Sequence, residues 1–235
     1  FYEPAYDEAQ YAREVAAYLG TDHTELYVTP EEAMEVIPRL PELYDEPFAD
    51  SSQIPTHLVA ALARQKVAVS LSGDAGDELF GGYNRYFWGR SIWNKVGWLP
   101  KPLRVAGAEA LRILPPSVWD NIFSCLEPVL PKSFRPRLPG DKVYKLAEVL
   151  AARSPEAMYN NLVSTWKSPQ ELVIGAIEPV TVLTDPQKWA DTGDFTLRMM
   201  YLDTLSYLPD DILVKVDRAC MGISLESRAP FLDHR

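Results

Sequence analysis

Residues 70–83 read SLSGDAGDELFGGY, and this stretch decides how the rest of the sequence is organised. The apolar run 67–71 (VAVSL) ends at Leu71 and is followed at once by Ser72-Gly73. A short apolar run closed by a turn reads as a buried strand of a parallel sheet. In open parallel sheets ligands bind beyond the carboxyl ends of strands, which is where Ser72 and Gly73 fall. Without a Cβ, Gly73 and Gly76 let the backbone approach a ligand closely. Asp74, Asp77 and Glu78 then place three carboxylates within five residues. Like charges so crowded cost free energy unless a cation, an amine or N–H groups compensate them. That predicts a site for a cation, an amino group or a proton transfer. The same acids also fit an ordinary helix start, with Asp74 as N-cap and Asp77 and Glu78 at the positive end of the helix dipole. The ligand spacing of an EF-hand is missing, and no Gly-Lys-Ser/Thr follows, so neither a calcium loop nor a Walker P-loop is present.

Upstream, residues 8–19 repeat apolar side chains at Ala12, Val15, Ala16 and Leu19 and stop at Gly20, the pattern of an amphipathic helix with its C-cap. Residues 24–28 (TELYV) read as another strand, with helical stretches near 31–43 and 55–64 before the run at 67–71. Strand, helix, strand in this order predicts a parallel α/β sheet. Downstream of residue 84 strand signals almost vanish. Helices are expected near 84–94, 101–113, 117–126, 140–152, 155–165, 194–207 and 210–221. The eight prolines of 97–140 are expected to break that stretch into short pieces. Elsewhere prolines open helices, since Thr29, Ser154, Ser168 and Asp185 each precede one as N-cap residues. Thr29 with Glu32, and Ser168 with Glu171, add the capping-box spacing.

The chain has 235 residues, 47% of them hydrophobic, and a net charge of −10. Such a composition excludes wholesale disorder, and its negative charge argues against generic nucleic-acid binding. No apolar run reaches the ~18 residues of a membrane span, and no basic start with an apolar stretch behind it marks a secretory signal. The two isolated cysteines, Cys125 and Cys220, suit a reducing, cytoplasmic compartment. Charge is uneven: residues 1–84 carry a net −12, residues 85–145 a net +7 and residues 146–235 a net −5. The basic middle reads either as a solvated helical face or as a docking surface for an anion or an acidic partner, with Arg104, Arg112, Lys132 and Arg135 as its test positions. The chain opens at Phe1 and not Met, and so reads as a fragment or an excised domain.

Residues 207–235 read YLPDDILVKVDRACMGISLESRAPFLDHR. Asp210 reads as the cap of a helix on which Asp211, Lys215 and Arg218 share a face. Lys215 and Arg218 there suit a phosphate or pyrophosphate; equally, Asp211 and Lys215 form a surface pair with Arg218 facing solvent. Ile212, Val216, Ala219 and Ile223 form the opposite, buried stripe. Glu226, Arg228 and Asp233 around Pro230-Phe231-Leu232 suggest a buried charge network pinning an irregular loop. Residues 44–56 (YDEPFADSSQIPT) form a polar loop with Asp45, Glu46 and Asp50, which either borders the Ser72 site or is an ordinary capped turn. His23, His57 and His234 share no metal-ligand spacing, so no metal cage is assigned.

Three ordered stretches, DEPFADSS (45–52), LSGDAGDELFGGYNRY (71–86) and the 207–235 segment, together resemble the synthetase domain of glutamine-hydrolysing asparagine synthetases. The resemblance is well carried by residues 1–94 and 194–235 and weaker between. It implies an α/β fold of the adenine-nucleotide alpha-hydrolase-like, Rossmann-like type. Its parallel sheet is expected to be incomplete here and its C-terminal portion mostly helical, with residues 1–235 a single, N-terminally truncated domain. It implies that the aspartate β-carboxylate attacks ATP with Mg²⁺, giving β-aspartyl-AMP and pyrophosphate, and that ammonia then displaces AMP to give asparagine. By matching position, Ser72 and Gly73 contact the nucleotide, Asp74 acts near the intermediate, and Asp77 with Glu78 binds the amino-acid substrate. Lys215 or Arg218 stabilises the leaving pyrophosphate. Expected partners are aspartate or a similar acid, ammonia from glutamine, the N-terminal glutaminase domain of the full-length protein and a second copy in a homodimer, with no nucleic acid and no membrane.

The sequence departs from the family's pattern at Ala75 for glycine, at Cys220 for serine, and at Ser227 for a small apolar residue. The family's Ser-Gly-Gly-x-Asp-Ser pyrophosphate loop and its glutaminase cysteine lie nowhere in the 235 residues, so this piece alone is expected not to turn over ATP. Two other readings stand beside this one. One keeps the chemistry with another acid, as in β-lactam synthetases, lasso-peptide cyclases or polysaccharide-linked amidotransferases. The other is a catalytically inert module.

Overall fold

The structure is a computed structural model and describes residues 9–126, 139–164, 166 and 169–235. In chain order, α1 (Ala9–Leu19), α2 (Pro30–Val36) and α3 (Leu40–Tyr44) lead to α4 (Gln53–Arg64), β1 (Val69–Leu71) and the short α5 (Gly76–Phe80). Then come α6 (Asn84–Val96), α7 (Lys101–Arg112), α8 (Pro116–Leu126), α9 (Pro139–Ala151), α10 (Pro155–Val163) and α11 (Phe195–Leu205). A π-helical turn at Leu208–Ile212 runs into α12 (Leu213–Met221), and β2 (Glu226–Arg228) closes the order. The result is a mostly helical α/β protein whose described residues contain one parallel two-stranded sheet, with Val69, Ser70 and Leu71 opposite Glu226, Ser227 and Arg228.

Local chemistry sets the helix boundaries. Thr29 accepts from Glu32 N while Glu32 reaches back to Thr29 N, a complete capping box. Ser154 accepts from Ala157 N at the start of α10, and Asp185 accepts from Gln187 N at a short 3-10 turn. Gly20, with φ of 67°, terminates α1 in the left-handed region. The Ser168 capping box, the start of the helix expected from residue 8 and the positions Lys132 and Arg135 lie outside the described residues.

Several expectations are corrected. Residues 24–28 form no strand. Alternation supplies the pattern, but a strand exists only when a neighbour takes its backbone groups, and none among the described residues does. Instead Glu25 and Tyr27 are tied by side chain to Arg13 on α1. The run at 67–71 is not buried: Leu71 is 74% exposed, and Val67 and Val69 are also exposed. The helix near 31–43 is interrupted by a 3-10 turn at Ile37–Arg39, whose Pro38 lacks the N–H a continuous α-helix needs. The prolines of 97–140 do not shatter the described part of that stretch. Pro102 sits in the first turn of α7, while Pro116 and Pro139 open α8 and α9. Asp210 lies within the π-helical turn and caps nothing. Glu226 with Arg228, and Asp233 with Arg235, form exposed pairs, not a buried network.

The chain divides into two compact units, residues 1–76 with 207–235, and residues 77–206. In the first, α12 packs on α4, with Ala60, Cys220 and Leu225 at its core. In the second, Tyr86, Tyr159, Met199 and Leu202 form the core between α6, α10 and α11. Asp203, 1% exposed, lies in that core. Its carboxylate accepts from Arg85 Nη2 at 2.7 Å, from Tyr86 Oη at 2.6 Å and from Tyr159 Oη. Burial, with Asp203 second, pushes the Tyr86 and Tyr159 phenols well above their ordinary range, so both stay donors. Arg104, offered by sequence as a docking cation, is 5% exposed and donates to Leu99 O and Ala152 O beneath the Trp93 ring. It holds α7 to the end of α9 and is unavailable to a partner.

Removing one member of a buried charged network leaves the others unpaired, at a cost of ~3–5 kcal/mol. Asp203→Ala is therefore expected to lower unfolding stability by about that amount in urea titrations. An unchanged midpoint would contradict the description of this core.

Candidate functional site

The first unit holds the 45–52 loop, the 207–235 segment and the beginning, residues 71–76, of the third stretch that the sequence singled out. The loop after α3 brings Asp45 and Asp50 to α12. Lys215, 8% exposed, donates through Nζ to Asp50 Oδ2 at 2.7 Å, and Arg218 Nη1 donates to Asp45 Oδ2 at 2.6 Å. Asp50 Oδ1 also accepts from the backbone N–H and hydroxyl of Ser52. Tyr44 donates to the carbonyl of Lys215 at 3.1 Å and stacks on Phe48. Leu43 leaves no room for a Cβ on Gly222, so α3 and the end of α12 are in close contact. The loop is an Asp50–Ser52 turn whose two aspartates also reach α12, and Lys215 is not a surface residue.

The turn after β1 lies in the same unit. Ser72 N donates to Arg228 O at 2.8 Å, extending the pairing of β1 with β2. Ser72 Oγ is buried and has no hydrogen-bond partner among the described residues. A Cβ placed on Gly73 would meet nothing within 4 Å. One is a spare hydroxyl and the other an open approach, and both fit a ligand seated on this turn. Ala75 has φ of 72° and a buried methyl against Leu208 and Ile212. The left-handed conformation costs a residue with a Cβ roughly 1–2 kcal/mol, which explains why glycine suits this position. Asp74 is half-buried, and His57 is held away from any such role, with its ring between Ala219 O and the Arg39 guanidinium.

Asp77 and Glu78 belong to the second unit. Asp77 is exposed, and its carboxylate fills the space where a Cβ on Gly82 would lie. Glu78 is 1% exposed and accepts from Tyr83 Oη at 2.6 Å. Among the described residues, no three His, Cys, Asp or Glu side chains converge to hold a metal ion. The three acids that look like one cluster in sequence therefore differ in environment: half-buried, exposed and buried.

The titration of the site follows from these contacts. Burial alone disfavours the charge on Asp50, but hydrogen bonds from Lys215 and Ser52 outweigh it and hold its pKa below the ordinary carboxylate value. Burial, followed by the Asp50 charge, pushes the Tyr44 phenol up to about 12. Burial, with Asp74 next, raises the Cys220 thiol, which makes it a poor nucleophile. Sequence reasoning gave Tyr44 no role and noted Ser227 only as a departure from the family's pattern; the Ser227 hydroxyl is bonded to the Cys220 thiol.

A family model described as asparagine synthase matches residues 1–235, and the chain belongs to that family. It is 28% identical over 236 residues to the glutamine-hydrolysing asparagine synthetase 1 of Bacillus subtilis, covering 99% of this chain and 34% of that protein. It is 30% identical over 234 residues to a putative glutamine-hydrolysing asparagine synthetase of Mycobacterium bovis, covering 99% of this chain and 33% of that protein. A similar protein of Methanocaldococcus jannaschii is 42% identical over 108 residues, 46% of this chain and 21% of its own length. The chain thus spans about a third of the length of the first two relatives. No solved structure gives a significant match.

Asp50 has a depressed folded-state pKa, so its stabilising contribution is complete above the unfolded value, ~3.9, and disappears as pH falls through the lower folded value. Asp50→Asn is expected to be less stable than wild type at pH 7 and to lose less stability between pH 5 and 2. Urea midpoints across that range measure this, and parallel acid limbs would contradict it. At the neighbouring turn, Ala75→Val adds branching to a left-handed residue and is expected to cost at least ~2 kcal/mol, whereas Ala75→Gly stays within ~1 kcal/mol of wild type. Equal midpoints for both variants would contradict the backbone assignment.

Proposed function

We propose that this chain is the synthetase part of an ATP-dependent amidotransferase that adenylates the β-carboxylate of aspartate and transfers ammonia to it, giving asparagine, AMP and pyrophosphate. The observation that carries the reading is that one compact unit joins the 45–52 loop to Lys215 and Arg218 of the 207–235 segment, and the Ser72 turn to Arg228 of the same segment. The proposed fold is the adenine-nucleotide alpha-hydrolase-like one, in which ligands seat at the carboxyl ends of parallel strands. The family membership and the names of the relatives, which are glutamine-hydrolysing, support the same chemistry.

In this reading the Ser72 hydroxyl and the open face of Gly73 receive the nucleotide. Lys215 supplies a positive charge already held in place by Asp50, for the negative charge that develops as pyrophosphate leaves. Its burial favours Lys215 over the exposed Arg218 for this role, because a desolvated, pre-oriented ammonium needs little reorganisation. Asp74 is placed near the acyl-adenylate, and Asp77 holds the ammonium group of the amino-acid substrate. Mg²⁺ enters as the counter-ion of the nucleotide phosphates. Ammonia is supplied by hydrolysis of glutamine in another region of the full-length protein. No described helix is long and apolar enough to cross a membrane. A cytoplasmic location is part of the proposal.

The full-length protein, given ATP, Mg²⁺, aspartate and ammonia, is expected to release AMP and pyrophosphate in equal amounts. Lys215→Met is expected to lower kcat by ~10²–10³, the usual loss on removing one preorganised charge. A strong preference for another carboxylic acid would move the reading to a related amide-forming enzyme. No release from active, folded protein with any acid would end it.

A further inference from the structure

Tyr83 links the loop that carries Asp77 to the core of the second unit. Gly82 N donates to Asp77 O at 2.9 Å, and the Asp77 carboxylate rests over Gly82 where no Cβ can stand. The next residue, Tyr83, donates its hydroxyl to the buried Glu78 at 2.6 Å. The Tyr83 ring lies under the Arg85 guanidinium, 4.0 Å from carbon to centroid. Arg85 is in turn fixed by Nη2 and Nε on Asp203 Oδ2, at 2.7 and 3.1 Å. Asp203 is held by tyrosines of α6 and α10.

We propose that Tyr83, Arg85 and Asp203 are positioning residues that hold the Asp77 carboxylate ready for the ammonium group of the substrate. The inference rests on the reading of Asp77 as the amine-binding carboxylate. An exposed aspartate normally samples several rotamers, and ordering it on binding weakens a carboxylate–ammonium contact in water. Here the Asp77 carbonyl is held by Gly82 N, and the next residue, Glu78, is buried. Its carboxylate needs a donor, which Tyr83 supplies. Tyr83 cannot swing away without breaking that bond and its contact with a desolvated cation. Arg85 cannot follow it without depriving the buried Asp203 carboxylate of its counter-charge. The aim of Asp77 is thus referred to three helices and not to a free loop, which is preorganisation in its ordinary sense. Glu78 becomes the pin of this loop and leaves the set of substrate contacts.

The test uses the full-length protein. Tyr83→Phe removes the hydroxyl and keeps the ring. It is expected to raise KM for the acid substrate ~10-fold, with kcat and KM for ATP within about twofold of wild type. In hydrogen exchange of the same variant, the Gly82 amide is expected to exchange ~10-fold faster. Asp203→Asn should move both readouts the same way, and Tyr83→Phe decides alone if that variant does not fold. Unchanged KM with unchanged Gly82 exchange overturns the proposal, as does an equal deterioration of kcat and both KM values, which marks a general structural defect. If the wild-type protein releases pyrophosphate with no acid, the functional reading fails on its own. Gly82 exchange in Tyr83→Phe then decides whether the link holds the loop: faster exchange supports it and unchanged exchange overturns it.

Discussion

An ammonium group taken out of water must find a carboxylate, and Lys215 finds Asp50. That pair brings together residues 165 positions apart in the chain. The partner carboxylate is itself bonded to Ser52, which fixes its position from the other side. Tyr44 on the carbonyl of Lys215 adds a second tie between the same two segments. The loop after α3 cannot leave α12 without stranding a buried charge, and α12 cannot rotate without doing the same. The neighbouring turn after β1, bonded to the end of β2, inherits this fixed geometry.

The second unit solves a related problem with a different outcome. Asp203 is more deeply buried than Asp50, and four donor groups of three residues close its lone pairs inward. Nothing of that carboxylate is left for a ligand, so its role is to fix helices and, through Arg85 and Tyr83, a loop. At Lys215 the buried cation of α12 pairs with one carboxylate, on a loop that also carries exposed Asp45, and in the same unit the Ser72 hydroxyl has no partner among the described residues. A spare donor and a held cation in one unit are groups that suit the proposed phosphate-bearing ligand.

Much of the helical framework was legible in the residues. Thr29 with Glu32, Ser154 before Pro155 and Gly20 after Leu19 each satisfy or terminate a helix by local chemistry, and local chemistry is what sequence displays. The strand at 24–28 was misread because alternation describes a face and not a neighbour. β2 was missed because Glu226-Ser227-Arg228 has no strand character of its own and exists only by pairing with β1. At the site, the three motifs were readable, but their pairing was not. Nothing in the sequence distinguishes Asp50 from Glu46 as the partner of Lys215. Nor does it reveal that Asp74, Asp77 and Glu78 have different surroundings, since neighbours in sequence on a turn point apart. Asp203 left one faint mark, a lone acid in the apolar helix FTLRMMYLDTL, and its tyrosine partners are too distant in sequence to suggest it.

The central claim is that Lys215, fixed by Asp50 in the same unit as the Ser72 turn, serves formation of an acyl-adenylate. The most direct measurement is exchange of radiolabelled pyrophosphate into ATP by the full-length protein without ammonia. The account predicts exchange that requires aspartate and Mg²⁺ and is lost in Lys215→Met. Exchange that is absent from the folded wild-type protein, or that survives loss of the lysine, would contradict it.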